Sequence, residues 1–202
     1  MTMYTIGLTG GIGTGKSEVL SILRDLGAST VQADLLAHEI YSPGKPAWQD
    51  IIHTFGSEIL TAEHQIHRKK LGEIVFADKN KLSKLNQIVH PRIFEHLKEL
   101  IEKQEMAGVR LLVIEAAILI EAEWTEIVDS VWVVKASKSI IIDRLKGKTT
   151  LSEKQITQRI NAQISDAKRQ EKANEIITNN GDKSELRDQV RKLIIANNLN
   201  QE

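Results

Sequence analysis

Residues Tyr4–Ser17 read YTIGLTGGIGTGKS, and this stretch decides the fold. Tyr4–Thr9 is a short apolar run with β-branched residues, the composition of a strand buried in a parallel sheet. Gly10–Ser17 then fits G-x-x-x-x-G-K-[ST] without a gap. The spacing has a physical cause. Glycines let the backbone turn tightly and aim successive N–H groups into one concavity that takes phosphate oxygens. The loop runs into a helix N-terminus, whose free donors and dipole favour anions. In such a loop the lysine, here Lys16, reaches the β- and γ-phosphates, and the Ser17 hydroxyl coordinates Mg²⁺. The nucleotide-binding stretch is therefore Gly11, Ile12, Gly13, Thr14, Gly15, Lys16, Ser17 and Glu18, the last through its backbone.

Outward from the loop, Lys16–Leu26 carries Val19, Leu20, Ile22, Leu23 and Leu26 on one helical stripe, with Gly27 at the C-terminal stop. Ala28–Ala33 reads as a second strand. Strand, glycine loop, helix and strand in that order open a parallel α/β sheet. From Leu35 to Gly108 the pattern turns helical and polar, broken at Ser42-Pro43-Gly44 and at Gly56. Pro46 and Pro91 both fit the first turn of a helix. Strand patterns return at Arg110–Ala116, Ser130–Val134 and Glu175–Thr178; Ser137–Lys168 and Lys183–Asn197 are helical. The expected architecture is α/β: a three-layer P-loop NTPase fold with a parallel central sheet. Residues 1–34, 110–136 and 172–202 form its core, 35–109 a helical insertion, and 137–171 a helical segment rich in Lys, Arg and Gln.

Bulk properties remove several function classes. Lys plus Arg and Asp plus Glu are 27 each, so the formal net charge is zero. Nucleic-acid and membrane-surface proteins carry a basic excess or stripe that this balance lacks. The chain has no cysteine, which excludes disulfides, Cys-ligated zinc and thiol catalysis. The longest apolar run, Ala116–Ile120, is too short to span a bilayer, and Met1–Thr9 has no basic n-region. The expectation is a cytoplasmic monomer or weak homo-oligomer acting on a small molecule.

Several further residues carry candidate chemistry. Asp34 closes the second strand, where ligands of open α/β sheets bind. It reads either as a carboxylate facing the γ-phosphate, able to accept a hydroxyl proton, or as a helix N-cap. Glu115 ends the third strand, where a metal-side carboxylate stands in phosphate-loop enzymes, or where an acid simply meets solvent. Arg144, Lys146, Lys148, Arg159, Lys168 and Arg169 read as lid cations or as a solvated helix face interleaved with acids. His38, His53, His64, His67, His90 and His96 make no zinc-binding helix pair, and the three tryptophans read as packing residues. The phosphate cradle by itself leaves open a kinase for a nucleoside monophosphate or a sugar, and a nucleotide-dependent switch.

Taken in order along nearly the whole chain, the motifs resemble the dephospho-coenzyme A kinase family. Leu8–Ser17 matches its opening LTGGIGSGKS, and Ala33-Asp34 the end of its "DAD" segment. Pro43-Gly44 with Pro46-Ala47 is similar to its PGxPA turn, and Arg68–Phe76 to its RxxLxxxVF helix. His90-Pro91 matches its HP pair, and Ala117–Glu121 resembles PLLxE. Arg159, Gln163, Ala173 and Asn179-Asn180-Gly181 resemble its closing R…Q…AD…NNG. The resemblance implies transfer of the ATP γ-phosphoryl, with Mg²⁺, to the ribose 3′-hydroxyl of dephospho-coenzyme A. It implies that 35–109 is a helical substrate-binding insertion and 137–171 a helical lid, with Asp34 as general base, Lys16 as phosphate clamp and Arg144 as lid cation. Thr9, Arg68, His90, Glu115, Arg159 and Gln163 join Asp34 on the substrate side, and Asn180 and Gly181 lie near the adenine. The chain departs from the family pattern at Gln32, His67, Glu115, Ala117, Lys148, Thr149 and Asn174.

Overall fold

The computed structural model describes residues 2–199, with the backbone alone at positions 37 and 38. His38 as a side chain, and residues 1 and 200–202 of the expected core, lie outside what is described. The chain divides into two compact units: residues up to Gln32 together with those from Glu102 onward, and Ala33–Ile101.

The first unit is built on five parallel strands, β1 (Tyr4–Gly10), β2 (Ser29–Gln32), β3 (Leu111–Glu115), β4 (Ser130–Lys135) and β5 (Glu175–Thr178), in the order β2-β3-β1-β4-β5. β3 is buried along its whole length and β1 along all but its first residue. A parallel sheet covered on both faces demands that pattern, which is why these strands read as continuous apolar runs rather than alternating ones. Helix α1 (Lys16–Asp25) lays Val19, Leu20, Ile22 and Leu23 into the core against β1 residues Ile6 and Leu8. At its end Leu26 is the C-cap and Gly27 takes φ +98°, the left-handed turn that glycine enters without strain.

Between β4 and β5 run α6 (Lys138–Lys148), α7 (Glu153–Asn161) and α8 (Asp166–Glu171). Ala136, Ile141, Leu145 and Ile156 form a second apolar cluster there, and Ile12 of the glycine loop packs on it. Ser152 and Gln155 form a reciprocal capping box at the head of α7. The terminal helix α9 (Lys183–Ala196) adds Leu186, Val190 and Ile194 to the main core.

The second unit is helical: α2 (Ala33–Ile40), α3 (Pro46–Phe55), α4 (Arg68–Phe76) and most of α5 (Lys79–Met106). Pro46 is the first residue of α3, as expected. Pro91 is not in a first turn. It lies inside the 28-residue α5, where its ring removes one backbone donor. Helix on both sides outweighs that loss, and Arg92 Nη1 donates to the Ile88 carbonyl beside the interruption at 2.6 Å.

Candidate active site

The sheet order places β1 between β3 and β4: the connection after β1 runs to β2 on one side, and the connection after β3 crosses to β4 on the other. A crevice at that edge is where open α/β sheets bind ligands. The loop Gly11–Gly15 occupies it, between the end of β1 and the head of α1. Gly15 is the helix N-cap at φ +96°, and a Cβ built there would stand 2.1 Å from Asn179 Nδ2. Gly10 at φ +154° brings the backbone so close to β4 that a Cβ would lie 2.3 Å from the Val134 carbonyl oxygen. At these two positions the motif's glycines are required by backbone shape and by space.

Side chains from distant parts of the chain brace the loop. Lys16 Nζ donates to the carbonyls of Gly10 and Gly11, at 2.9 and 3.3 Å. Thr14 is buried, and its hydroxyl donates back to Gly11 O at 2.9 Å. Asn179, buried just past β5, donates Nδ2 to Thr14 O at 2.8 Å and accepts from Arg144 Nη2 at 3.1 Å. Arg144 Nη1 reaches the same Thr14 carbonyl at 3.4 Å. Gln163, between α7 and α8, accepts the Ile12 N–H through Oε1 at 2.8 Å. A loop whose N–H groups suit anions therefore has an amide oxygen on one of them and a lysine on its own carbonyls.

Glu115 ends β3 beside this crevice, paired in register with Leu8 of β1 and Gln32 of β2. It is buried, and its Oε2 accepts from Gln32 Nε2 at 3.1 Å. Solvent is thus not its partner. Gln32 supplies a donor to the carboxylate, whereas an Asp at that position would set two like charges together. Two departures from the family pattern are in this way one physical unit. The buried Thr9 has its hydroxyl 3.5 Å from the Ala117 carbonyl.

The family model for dephospho-CoA kinase matches residues 4–185. The chain belongs to that family. It is similar to the dephospho-CoA kinase of Carboxydothermus hydrogenoformans, 38% identical over 190 residues that cover 94% of this chain and 92% of the relative. Among solved structures it is similar to TT1252 from Thermus thermophilus (TM-score 0.84, 25% identity, 98% of each chain). It is also similar to the dephospho-CoA kinase from Campylobacter jejuni (TM-score 0.71, 27% identity, 95% of each chain).

The residues expected at the site of a dephospho-CoA kinase family member come from both units. Gly11–Ser17, Arg144, Gln163, Thr9 and Glu115 belong to the first unit, at or bordering the C-terminal end of the sheet. Asn180 and Gly181 follow β5; Asn180 Oδ1 accepts the Ser137 N–H at 2.8 Å. Glu18 places its carboxylate 2.7 Å from Lys183 Nζ. Arg159 lies apart, exposed on α7, and borders a 670 Å³ hollow with Lys148 and Thr149. Asp34, Arg68 and His90 belong to the helical unit. Asp34 is exposed in the first turn of α2, two residues past the end of β2. Arg68 starts α4, and its charge tempers the upward push that burial gives the Tyr41 hydroxyl. Burial holds the His90 imidazole below its ordinary pKa, favouring the neutral ring.

Sequence reasoning missed Asn179 as a brace of the loop; in the sequence it is legible only as half of an Asn-Asn doublet after a strand. No helix among the described residues is long and apolar enough to cross a membrane.

Proposed function

We propose that this chain transfers the γ-phosphoryl of ATP to the ribose 3′-hydroxyl of dephospho-coenzyme A, giving coenzyme A, in the cytoplasm. The observation that carries the reading is the family match over residues 4–185, on a chain whose glycine loop is built to hold phosphate.

Each residue has a role that follows from its chemistry. The amides of Gly11–Ser17 and the N-terminus of α1 hold the nucleotide phosphates. Lys16 exchanges its Gly10 and Gly11 carbonyls for phosphate oxygens, a stronger, charge-assisted pairing. Ser17 is exposed at the head of α1, and its hydroxyl with the Glu115 carboxylate makes a sparse set of hard oxygen donors. That set suits Mg²⁺, which keeps several waters and draws its other ligands from phosphates. When bound, the ion neutralises charge on the β- and γ-oxygens.

Asp34 takes the proton of the 3′-hydroxyl as its oxygen bonds to the γ-phosphorus and the bond to the β-phosphate oxygen breaks, releasing ADP. Arg144, already fixed over Thr14, opposes the charge spread on the transferring group. Asn180 and Gly181 border the adenine, and Arg68, His90, Arg159 and Gln163 serve the substrate side. Residues 137–171 close over the reaction and exclude water, which would otherwise accept the phosphoryl group. The protein works as a monomer or weak homo-oligomer.

The test is ADP release with Mg·ATP alone, with dephospho-coenzyme A, and with adenosine monophosphate. Stimulation by dephospho-coenzyme A only, with coenzyme A formed, is the expected result. Slow hydrolysis indifferent to any acceptor would remove the kinase reading.

A further inference from the structure

β3 sends its residues alternately to the two faces of the sheet. Leu111 and Val113 enter the core cluster formed with Leu8 of β1 and with α1, whereas Leu112 and Ile114 do not. Glu115, two residues past Val113 and paired in register with Leu8, therefore stands on the α1 face. It does so at the last position of β3, at the edge of the sheet where α1 starts with Lys16 and Ser17. The acid and the hydroxyl of the phosphate loop thus share one corner of the first unit.

The two oxygens of Glu115 are used differently. Oε2 accepts from Gln32 Nε2 at 3.1 Å. Oε1 accepts nothing from the described residues and, unlike Nε and Nη2 of Arg169, is not sealed from solvent. With 5% of the residue exposed, the carboxylate is held within the protein rather than free to swing. Strand register sets Gln32 directly beside it, and an ionised carboxylate only accepts, so the amide presents its N–H. The pair offers a divalent cation one negative charge and one unheld oxygen. Cations differ in their use for that. Mg²⁺ demands a near-ideal octahedron, keeps several waters, and is held by few carboxylate oxygens beside phosphates. Ca²⁺ is larger, takes more oxygens, and readily draws both from one carboxylate.

We propose that Gln32 is a positioning residue that sets the metal choice of this site: by holding Oε2 it limits Glu115 to single-oxygen coordination through Oε1, which suits Mg²⁺ and penalises Ca²⁺. The proposal rests on Glu115 being the metal-side carboxylate of the nucleotide site. A purely structural hydrogen bond would change stability when removed and leave the choice of cation untouched.

The experiment titrates Mg²⁺ and Ca²⁺, by calorimetry, into the full chain with bound ADP, for wild type, Gln32→Met, Glu115→Gln and the double variant. Removing an outer partner of a metal ligand weakens the metal about 10- to 100-fold. Gln32→Met is expected to weaken Mg²⁺ by that factor and Ca²⁺ by less than about threefold, since Ca²⁺ gains the freed oxygen, so the preference for Mg²⁺ falls. In the Glu115→Gln background Gln32→Met should change the preference no further, because it acts through the carboxylate. An unchanged preference in a folded Gln32→Met, with Glu115→Gln weakened, overturns the proposal alone. Glu115→Gln with wild-type metal affinity overturns it too, and removes Glu115 from the metal side. If Gln32→Met does not fold, infrared difference spectra of the wild type decide. Mg²⁺ binding to the ADP complex should give the widely split carboxylate stretches of single-oxygen coordination, absent in Glu115→Gln, and a two-oxygen pattern overturns the proposal. Wild-type protein that binds Mg·ADP but fails to phosphorylate dephospho-coenzyme A refutes the substrate assignment alone.

Discussion

Replacing Gly15 by alanine tests whether the loop is held by side chains recruited from the far end of the chain. Two costs are separable. At φ +96° an L-residue is strained by about 1–2 kcal/mol. The new Cβ also lies 2.1 Å from Asn179 Nδ2, so that amide must swing away. Its hydrogen bond to Thr14 O is buried, and breaking it costs about 1–3 kcal/mol. The expected destabilisation is about 2–5 kcal/mol, roughly 4–20 °C in the melting temperature of a protein this size. A double-mutant cycle isolates the second part. In an Asn179→Ala background there is no amide to displace, so Gly15→Ala should cost only the backbone strain. Thermal melts of the four proteins give a coupling of about 1–3 kcal/mol if the contact matters. Strict additivity of the two substitutions would refute the bracing of Gly15 by Asn179.

Asp34→Asn should leave ATP-analogue affinity near wild type while turnover falls about 10²- to 10⁴-fold, the usual span for a lost general base; full steady-state activity would remove Asp34 from that role. Arg144→Lys cannot span both Thr14 O and Asn179 Oδ1, since an ammonium lacks the fork, so kcat/KM for ATP should drop roughly 10-fold or more. Wild-type kinetics would show that the fork is dispensable. His90 predicts the sign of one pH effect. Its folded pKa is lowered from 6.5 by burial, so below about pH 6.5 the unfolded chain takes up the proton first and stability declines as pH falls. Unfolding midpoints between pH 7.5 and 5.5 should therefore fall more steeply for wild type than for His90→Gln, and parallel slopes would contradict a half-buried imidazole whose pKa is lowered.

Much of this protein is local in its sequence. The apolar run and glycine spacing of Tyr4–Ser17 fix a strand, a phosphate cradle and a helix start, because each depends on residues within a few positions of one another. Strand ends came out within a residue or two for the same reason, and Glu175–Thr178 matches throughout. Pro91 was misplaced, since proline argues locally for a helix start while 28 residues of helix overrule it. Glu115 was ambiguous as a sequence feature. Only strand pairing sets Gln32 beside it and turns a solvent acid into a buried, hydrogen-bonded one. Asn179 lies 165 residues from Thr14, and Gln163 151 from Ile12. Local patterns specify elements because backbone hydrogen bonds and apolar periodicity act over single turns. Which side chains brace the loop is decided when the parallel sheet brings the ends of β1, β3, β4 and β5 to one side.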